Sequence, residues 1–215
     1  FARIGLKIGD ELVVRAYSVV SSPFDETLEF FSIVVPEGKF TSNLQHLKVG
    51  DELYLEKIPY GYLTLARYQL PLPQDLWLLG TGTGLAPFLS MLQDFETWNN
   101  YKQINLVYSV RTQAELAYVE RIQEIAESFG EGHSGFKFIP IITRDPEAAL
   151  HDRLPVLIAN GELEKAAAMQ LNPETSHVML CGNPDMVEDT KEALKARGLT
   201  MNRRGEGNIA VENYW

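Results

Sequence analysis

The sequence predicts two domains: an antiparallel β-barrel over residues 1–70, then a doubly wound α/β domain with a parallel sheet over residues 71–215. Up to residue 70, short strand-like runs are separated by turn signals, as in small antiparallel barrels. Beyond it, apolar strand-like runs alternate with helical segments, which is typical of a parallel sheet. The stiff segment Pro71-Leu72-Pro73 separates the two patterns and is the predicted linker.

In the first domain the sequence predicts three strands and one short helix. The turn signals Ser21-Ser22-Pro23 and Gly50-Asp51 divide runs that are rich in β-branched, aromatic and alternating residues. Thr41 or Ser42 is expected to cap a helix of one or two turns that runs through Leu47. The predicted strands are 11–18, 28–34 and 52–56.

The second domain is organised around the stretch from Asp75 to Leu89, which reads as strand, glycine-rich turn and helix. Glycines at 80, 82 and 84 let the backbone approach a bound group, and the following helix directs free N–H groups toward it. The turn therefore predicts a phosphate site, although an ordinary glycine-rich connection is the alternative. The other predicted strands are 104–109, 136–142 and 177–181, after a first strand at 76–80, and the helices are 85–96, 113–129, 162–168 and 184–197.

Composition excludes several classes of function. The formal net charge of −10 argues against general nucleic-acid binding. One cysteine, Cys181, rules out an internal disulfide framework and a four-thiolate iron–sulfur cluster, which favours a reducing, cytoplasmic location. No apolar run approaches the roughly 20 residues that span a bilayer, and the scattered histidines lack metal-ligand spacing, so neither membrane nor metal binding is expected.

Arg15-Ala16-Tyr17-Ser18 ends a predicted strand and combines a guanidinium, an aromatic ring and a hydroxyl. Arg15 and Tyr17 share one face by the strand period of two. Such a face suits a planar, phosphorylated ligand, because arginine binds phosphate and tyrosine packs on a flat heterocycle. An exposed arginine–tyrosine pair across strands is the alternative.

Four motifs in this order resemble the ferredoxin–NADP reductase family, and in particular its short bacterial ferredoxin/flavodoxin–NADP reductases. The resemblance covers essentially the whole chain and includes the aromatic end Glu212-Asn213-Tyr214-Trp215. In that family more sequence precedes the first motif, so the barrel is expected to be incomplete at its N-terminal side. The motifs are Arg15–Ser18, Val35–Thr41, Gly80–Pro87 and Cys181–Met186.

The resemblance implies FAD between the two domains and NADP(H) on the second. It places Arg15 at the FAD phosphates, Tyr17 on the isoalloxazine and Ser18 near its reactive edge, with Ala16 as a further cofactor-binding residue. Cys181 is expected to contact the nicotinamide as a packing residue rather than a nucleophile. Tyr214 and Trp215 are expected to cap the cofactor, with a C-terminal strand tucked into the sheet as the alternative. The remaining implied cofactor residues are Lys39, Phe40, Thr41, Gly82, Thr83, Gly84, Arg153, Gly182 and Asn183.

Arginines at two strand ends indicate NADP rather than NAD. Dinucleotide sheets that prefer NAD usually end their second strand with an acid that binds the ribose hydroxyl, whereas this segment ends in Arg111. Arg144 follows the next strand, and Arg153 matches a third arginine of the bacterial family. Solvated surface charges are the alternative for each one.

The resulting hypothesis is a monomeric flavoenzyme that passes hydride between NADPH and FAD, and single electrons between FAD and ferredoxin or flavodoxin. Ser18, Cys181, Tyr214 and Trp215 are the expected residues at the reacting atoms. Transient docking of an acidic carrier would need a local basic patch. The alternatives are a flavin or quinone reductase, an oxygenase reductase component, and a non-enzymatic NADP-binding flavoprotein sensor. The candidates for the patch are Lys191, Lys195, Arg197, Arg203 and Arg204.

Overall fold

A computed structural model describes residues 1–68, 74–132 and 135–213 and contains two sheets. The first sheet is antiparallel and belongs to an N-terminal lobe, and the second is parallel and belongs to a C-terminal lobe. The predicted fold class, an antiparallel β domain followed by a doubly wound α/β domain, is confirmed. The predicted linker Pro71-Leu72-Pro73 and the boundary near residue 70 lie outside the described residues.

The N-terminal sheet has three strands, β1 (Ala2–Ile8), β2 (Glu11–Tyr17) and β3 (Tyr54–Leu55), in the order β2-β1-β3. Gly9, with φ of 62°, turns the chain between β1 and β2. Alternate residues of β1 and β2 point inward with Phe40 and form a small apolar core. A four-residue helix, α1 (Thr41–Leu44), follows Phe40.

Two predictions for this lobe are wrong. Residues 28–34 form no strand and make only the isolated bridge between Val19 and Phe30. Leu28, Ile33 and Val34 are half exposed. The composition of this segment favours a strand, but the segment does not pair with a neighbouring strand. The predicted cap is also different, because Phe40 occupies the N-cap position of α1 and the Thr41 hydroxyl accepts from the Val35 backbone N–H at 2.9 Å.

The C-terminal sheet has five parallel strands in the order β6-β5-β4-β7-β8. The chain builds outward from the central strand β4 to one side and then returns to build on the other. This reversal beside β4 is the place where open α/β sheets bind ligands, beyond the carboxyl ends of the strands. The strands are β4 (Asp75–Thr81), β5 (Gln103–Val110), β6 (Gly135–Ile142), β7 (Ser176–Gly182) and β8 (Ile209–Asn213).

Helices cover both faces of this sheet, because the central strand β4 has apolar residues on both sides. Leu76 and Leu78 pack into one apolar cluster, whereas Trp77 and Leu79 pack into the other, so β4 is buried on both sides. The α-helices are α2 (Ala86–Leu92), α3 (Phe95–Asn100), α4 (Val119–Gly130), α5 (Leu154–Ala159), α6 (Glu162–Ala167) and α7 (Pro184–Ala196). Short 3-10 helices occupy Leu65–Arg67, Gly82–Leu85 and Gln113–Glu115.

Two predicted helices are shorter than expected. The helix expected at 85–96 ends at Leu92, and Asp94 starts α3 by accepting from the Glu96 backbone N–H at 2.9 Å. The helix expected at 113–129 begins at Val119, after the 3-10 turn Gln113–Glu115. No helix among the described residues has the length and apolar character needed to cross a bilayer.

Buried polar contacts join the two lobes. Gln93, at the end of α2, donates from its side-chain Nε2 to the Val20 carbonyl at 2.8 Å. The backbone carbonyl of Gln93 accepts from Ser22 Oγ at 3.1 Å. Ser90 Oγ donates to the Ser21 carbonyl at 2.8 Å. The lobes are therefore held in one orientation by hydrogen bonds that are sheltered from water.

Candidate functional site

The glycine-rich turn lies at the carboxyl edge of the parallel sheet. Thr81 ends β4, the 3-10 turn Gly82–Leu85 follows, and α2 starts with Pro87 in its first turn, where its missing N–H costs nothing. Gly82 has φ of 53°, and no atom of the described residues lies within 4 Å of the position a Cβ would take. Those residues therefore leave space beside the Gly82 backbone.

Gly84 and Gly182, unlike Gly82, are surrounded by other backbone atoms, and their lack of a side chain lets the turn pack against the end of β7. A Cβ on Gly84 would clash with the Cys181 carbonyl oxygen, and one on Gly182 would clash with the Thr81 hydroxyl. Gly182 also has φ of 136°, which disfavours other residues. The ends of β4 and β7 therefore meet backbone to backbone.

Cys181, Gly182 and Asn183 pass from β7 into α7. Cys181 is fully buried in the apolar core. The Asn183 side chain caps α7 by accepting from the Met186 backbone N–H at 3.2 Å, and the Asn183 backbone N–H donates to Thr81 Oγ1 at 3.1 Å. These contacts fix the start of α7 beside the glycine turn, where Thr83 is half-buried.

Ser18 connects the N-terminal lobe to the last strand of the parallel sheet. Its hydroxyl donates to Glu212 Oε1 at 3.3 Å, and Ser18 is 3% exposed. Burial raises the pKa of the Glu212 carboxyl. Both residues line a cavity of about 330 Å³ at the lobe boundary. Glu212 was not predicted as a site residue from the sequence. The sequence feature that could have indicated it is an acidic residue directly after the apolar start of the strand Ile209–Asn213.

Arg15 and Tyr17 lie on the outer part of β2. Arg15 is exposed, and its Nη1 donates to the Val14 carbonyl at 2.7 Å. The Tyr17 ring lies 5.9 Å from the Phe40 ring, and its hydroxyl shares a hydrogen bond of 3.2 Å with Ser32 Oγ. Tyr17 therefore has a fixed ring on the lobe surface, while the guanidinium of Arg15 has further N–H groups to offer an anion.

The segment from Lys39 to Thr41 packs beside these residues. Phe40 is buried in the small core, and Lys39 forms an exposed ion pair with Glu11. The Thr41 hydroxyl is bonded to residue 35. The start of α1 has no side-chain cap. In the first turn, the Ser42 backbone N–H donates to the Gly38 carbonyl at 3.1 Å and the Asn43 backbone N–H donates to the Phe40 carbonyl at 3.1 Å.

The structure brings two of the three predicted arginines together. The Arg144 backbone N–H donates to the Arg111 carbonyl at 2.8 Å, so the ends of β5 and β6 lie side by side. Arg111 forms an ion pair with Glu115. Arg153 is the N-cap residue of α5, farther along the chain. Across residues 1–68, 74–132 and 135–213, neither Arg144 nor Arg153 makes an ion pair, and both are exposed.

Most of the cations expected to dock a carrier already have acidic partners. Lys191 pairs with Glu188, Lys195 pairs with Glu192, and Arg197 lies 2.7 Å from a Glu164 carboxylate oxygen. These cations stabilise α7 and its contacts rather than form a free basic surface. Arg203 and Arg204 are exposed in the turn before β8.

Tyr214 and Trp215, predicted to cap the cofactor, lie outside the described residues. Among the residues that the structure does describe, no three acidic, histidine or cysteine side chains form a group that could hold a metal ion.

Comparisons with known proteins agree in one family. Residues 78–192 match the model of the oxidoreductase NAD-binding domain. The chain is 41% identical to the flavodoxin/ferredoxin–NADP reductase of Shigella flexneri, over 100% of this chain and 86% of that protein. It is 41% identical to the ferredoxin–NADP reductase of Pseudomonas aeruginosa, over 99% of this chain and 84% of that protein. The crystal structure of a ferredoxin NADP+ reductase from Neisseria gonorrhoeae with bound FAD and NADP superimposes with a TM-score of 0.91, at 36% identity, covering 100% of this chain and 85% of that one.

Proposed function

Because this chain belongs to the flavodoxin/ferredoxin–NADP reductase family, we propose that it binds FAD and NADP(H) and transfers hydride between them. It then exchanges single electrons with a ferredoxin or flavodoxin. The observation that carries this function is the contact between Ser18 and Glu212, because it brings the end of the N-terminal motif to the carboxyl edge of the parallel sheet. That edge is where a nicotinamide nucleotide binds.

The residues fit FAD at the N-terminal lobe. Arg15 is exposed with N–H groups to spare, the Tyr17 ring is fixed, and the segment that leads into α1 lies beside that ring through Phe40. We propose that these groups hold the phosphates and the flat ring, and that Ser18 lies at the reactive edge. When bound, FAD supplies the redox chemistry, and the protein orients the reactants and excludes water. The assigned residues are Arg15, Ala16, Tyr17, Ser18, Lys39, Phe40 and Thr41.

The residues also fit NADP(H) at the C-terminal lobe. The backbone at Gly82 is open, and three arginines follow the ends of β5 and β6 or start α5. Arg144 and Arg153 are exposed without an acidic partner among the described residues, which suits a 2′-phosphate. We assign Gly82, Thr83, Gly84, Cys181, Gly182 and Asn183 to the pyrophosphate and nicotinamide, and Arg111, Arg144 and Arg153 to the 2′-phosphate. Tyr214 and Trp215 remain proposed as the cofactor cap.

Stopped-flow mixing tests the reaction. NADPH should bleach the visible flavin band of the purified holoprotein, and added oxidised flavodoxin should restore it. A holoprotein that binds FAD but stays oxidised with NADPH would contradict the proposal and favour a non-enzymatic sensor. Restoration by free flavin or quinone alone, without any effect of flavodoxin or ferredoxin, would contradict the proposed carrier.

We further propose that the protein is a cytoplasmic monomer that meets its carrier transiently, with residues 1–70 and 71–215 as its two domains. A single buried thiol suits a reducing compartment. Sedimentation of the holoprotein alone and with flavodoxin tests this, because a stable dimer would contradict the monomer. Low-salt binding that weakens with ionic strength is expected for docking by charge.

A further inference from the structure

The Glu115 carboxylate contacts both the backbone N–H of Arg111 and one edge of the Arg111 guanidinium. The Arg111 backbone N–H donates to Glu115 Oε2 at 2.9 Å. Nε of Arg111 donates to Oε1 at 2.9 Å and to Oε2 at 3.2 Å, and Nη2 lies 2.6 Å from Oε1. One carboxylate thus fixes both the position of the residue and the plane of its guanidinium.

Glu115 is anchored in turn to the parallel sheet. It ends the 3-10 turn Gln113–Glu115, and its backbone N–H donates to the Thr112 carbonyl at 3.0 Å. Its carbonyl accepts from the hydroxyl of Tyr108 at 3.3 Å, and Tyr108 is fully buried in β5. The carboxylate that holds Arg111 therefore stands on a rigid part of the fold.

The contact with Glu115 leaves one edge of Arg111 available. A guanidinium has five N–H groups, and Glu115 uses the Nε side. The edge formed by Nη1 and the second N–H of Nη2 has the fork geometry that binds phosphate in a bidentate manner. The Arg111 side chain is 61% exposed, so a ligand can reach this edge, and Arg144 is adjacent through its backbone.

An acid beside a phosphate site has two effects of opposite sign. Its charge repels a phosphate, but this effect is screened at an exposed position. Its hydrogen bonds also hold a flexible side chain in one rotamer, so that less freedom is lost when a ligand binds. Four atom-to-atom contacts between the two residues favour the second effect.

We propose that Glu115 is a positioning residue for NADP recognition, which holds Arg111 so that its free edge receives the 2′-phosphate. This role rests on the proposed function, since it requires that Arg111 contacts that phosphate. It explains why the strand that carries the 2′-phosphate arginine is followed by an acid four residues later.

Calorimetry on the FAD-loaded protein tests the role without turnover. Glu115→Gln and Glu115→Ala should bind adenosine 2′,5′-bisphosphate about tenfold more weakly, because Arg111 would then lose its side-chain freedom only when the ligand binds. Binding of adenosine 5′-phosphate should be unchanged, because it lacks the 2′-phosphate, and this also shows that the site is folded. Unchanged or tighter binding of the bisphosphate would overturn the proposal.

Two further variants separate the possible failures. Glu120→Gln removes the same charge from a nearby exposed position on α4 that makes no ion pair with a described residue, and it should bind the bisphosphate as the wild type does. If Arg111→Ala binds normally, the proposed 2′-phosphate site is wrong. If Arg111→Ala weakens binding but Glu115→Gln does not, only the positioning role is wrong. In steady state, Glu115→Gln should raise KM for NADPH and leave kcat and the activity with NADH unchanged.

Discussion

His177 shows how one buried side chain makes stability depend on pH. It is 6% exposed, its ring stacks on Tyr68 with centroids 3.6 Å apart, and its Nδ1 shares a hydrogen bond of 2.9 Å with the Tyr101 hydroxyl. Burial lowers the pKa of His177 to about 4. The imidazole is therefore neutral in the folded protein at pH 7.

The folded pKa lies below the ordinary value of 6.5, so the unfolded chain takes up the proton first as the pH falls. The free energy of unfolding that the neutral His177 contributes is fully present above about pH 6.5. It is lost progressively as the pH falls to about 4, and the whole loss is about 3 kcal/mol. Urea unfolding of the wild type and of His177→Gln across this range measures it. The stability gap between the two proteins should narrow as the pH falls, and a constant gap would contradict the prediction.

A second residue-scale prediction concerns the arginines of the proposed 2′-phosphate site. Arg111→Ala combined with Arg144→Ala should reduce kcat/KM for NADPH by at least about 100-fold, since each charged hydrogen bond contributes about 1.5–3 kcal/mol. Activity with NADH should change little. Steady-state kinetics with both nucleotides checks this, and Lys102→Ala serves as a control, because Lys102 is an exposed cation just before β5, at the opposite edge of the sheet. An unchanged NADPH preference would show that these arginines do not read the phosphate.

At the level of elements, the close approach of the glycine turn to β7 depends on Gly84. Ala at this position places a methyl group against the backbone of Cys181 and Gly182, which cannot move as a side-chain tip can. Gly84→Ala should lower the free energy of unfolding by about 1–3 kcal/mol and should also weaken nucleotide binding, because the turn must shift.

Gly132→Ala is the matched control for Gly84. Gly132 has φ of 74° but open space around it, so the substitution carries backbone strain of about 1 kcal/mol without a clash. Thermal unfolding and calorimetry of both variants distinguish the two cases. Equal losses of stability, with nucleotide binding intact in Gly84→Ala, would show that the turn does not need this close contact.

The start of α7 permits a separate prediction. Asn183→Ala removes the side-chain acceptor for the Met186 N–H and should cost about 1 kcal/mol of stability. Asn183→Ser keeps an acceptor at the N-cap and should change stability by only a few tenths of a kcal/mol. Chemical unfolding compares the two, and equal losses would mean that the cap does not stabilise the helix.

Sequence patterns predicted the elements whose burial is uniform. β4, β5 and β7 are buried on both faces, so their composition alone distinguishes them. The strand-like run of β6 was also predicted, although this edge strand is only partly buried. The arginines that follow β5 and β6 were expected near one phosphate, and their backbones meet in the structure. Residues 28–34 were predicted wrongly because strand composition does not show whether a partner strand is present. Glu115 and Glu212 were missed because their roles depend on contacts with Arg111 and Ser18 that form only in the fold.

At the scale of the whole molecule, the hydrogen bonds of Gln93 between the two lobes contribute to the stability of the fold. It is 3% exposed, and its side chain bonds to the Val20 carbonyl and to Arg121. Gln93→Ala leaves the buried Val20 carbonyl without this donor and should lower the free energy of unfolding by about 2 kcal/mol.

Gln123→Ala is the control for Gln93. Gln123 lies on the exposed side of α4, and within the described part of the chain its side chain bonds only to Glu127 on the same helix. Its loss should therefore change stability by less than about 0.5 kcal/mol. Urea unfolding followed by tryptophan fluorescence and by circular dichroism measures both variants. Similar stabilities for Gln93→Ala and Gln123→Ala would contradict the importance of this lobe contact.

The hydrogen bond between Ser18 and Glu212 also has a consequence for biosynthesis. Its partners are 194 positions apart, and Glu212 belongs to the most C-terminal strand of the sheet. A nascent chain on the ribosome cannot make this bond until residue 212 has emerged, so this contact between the two lobes forms only after residues 18 to 212 have all been synthesised.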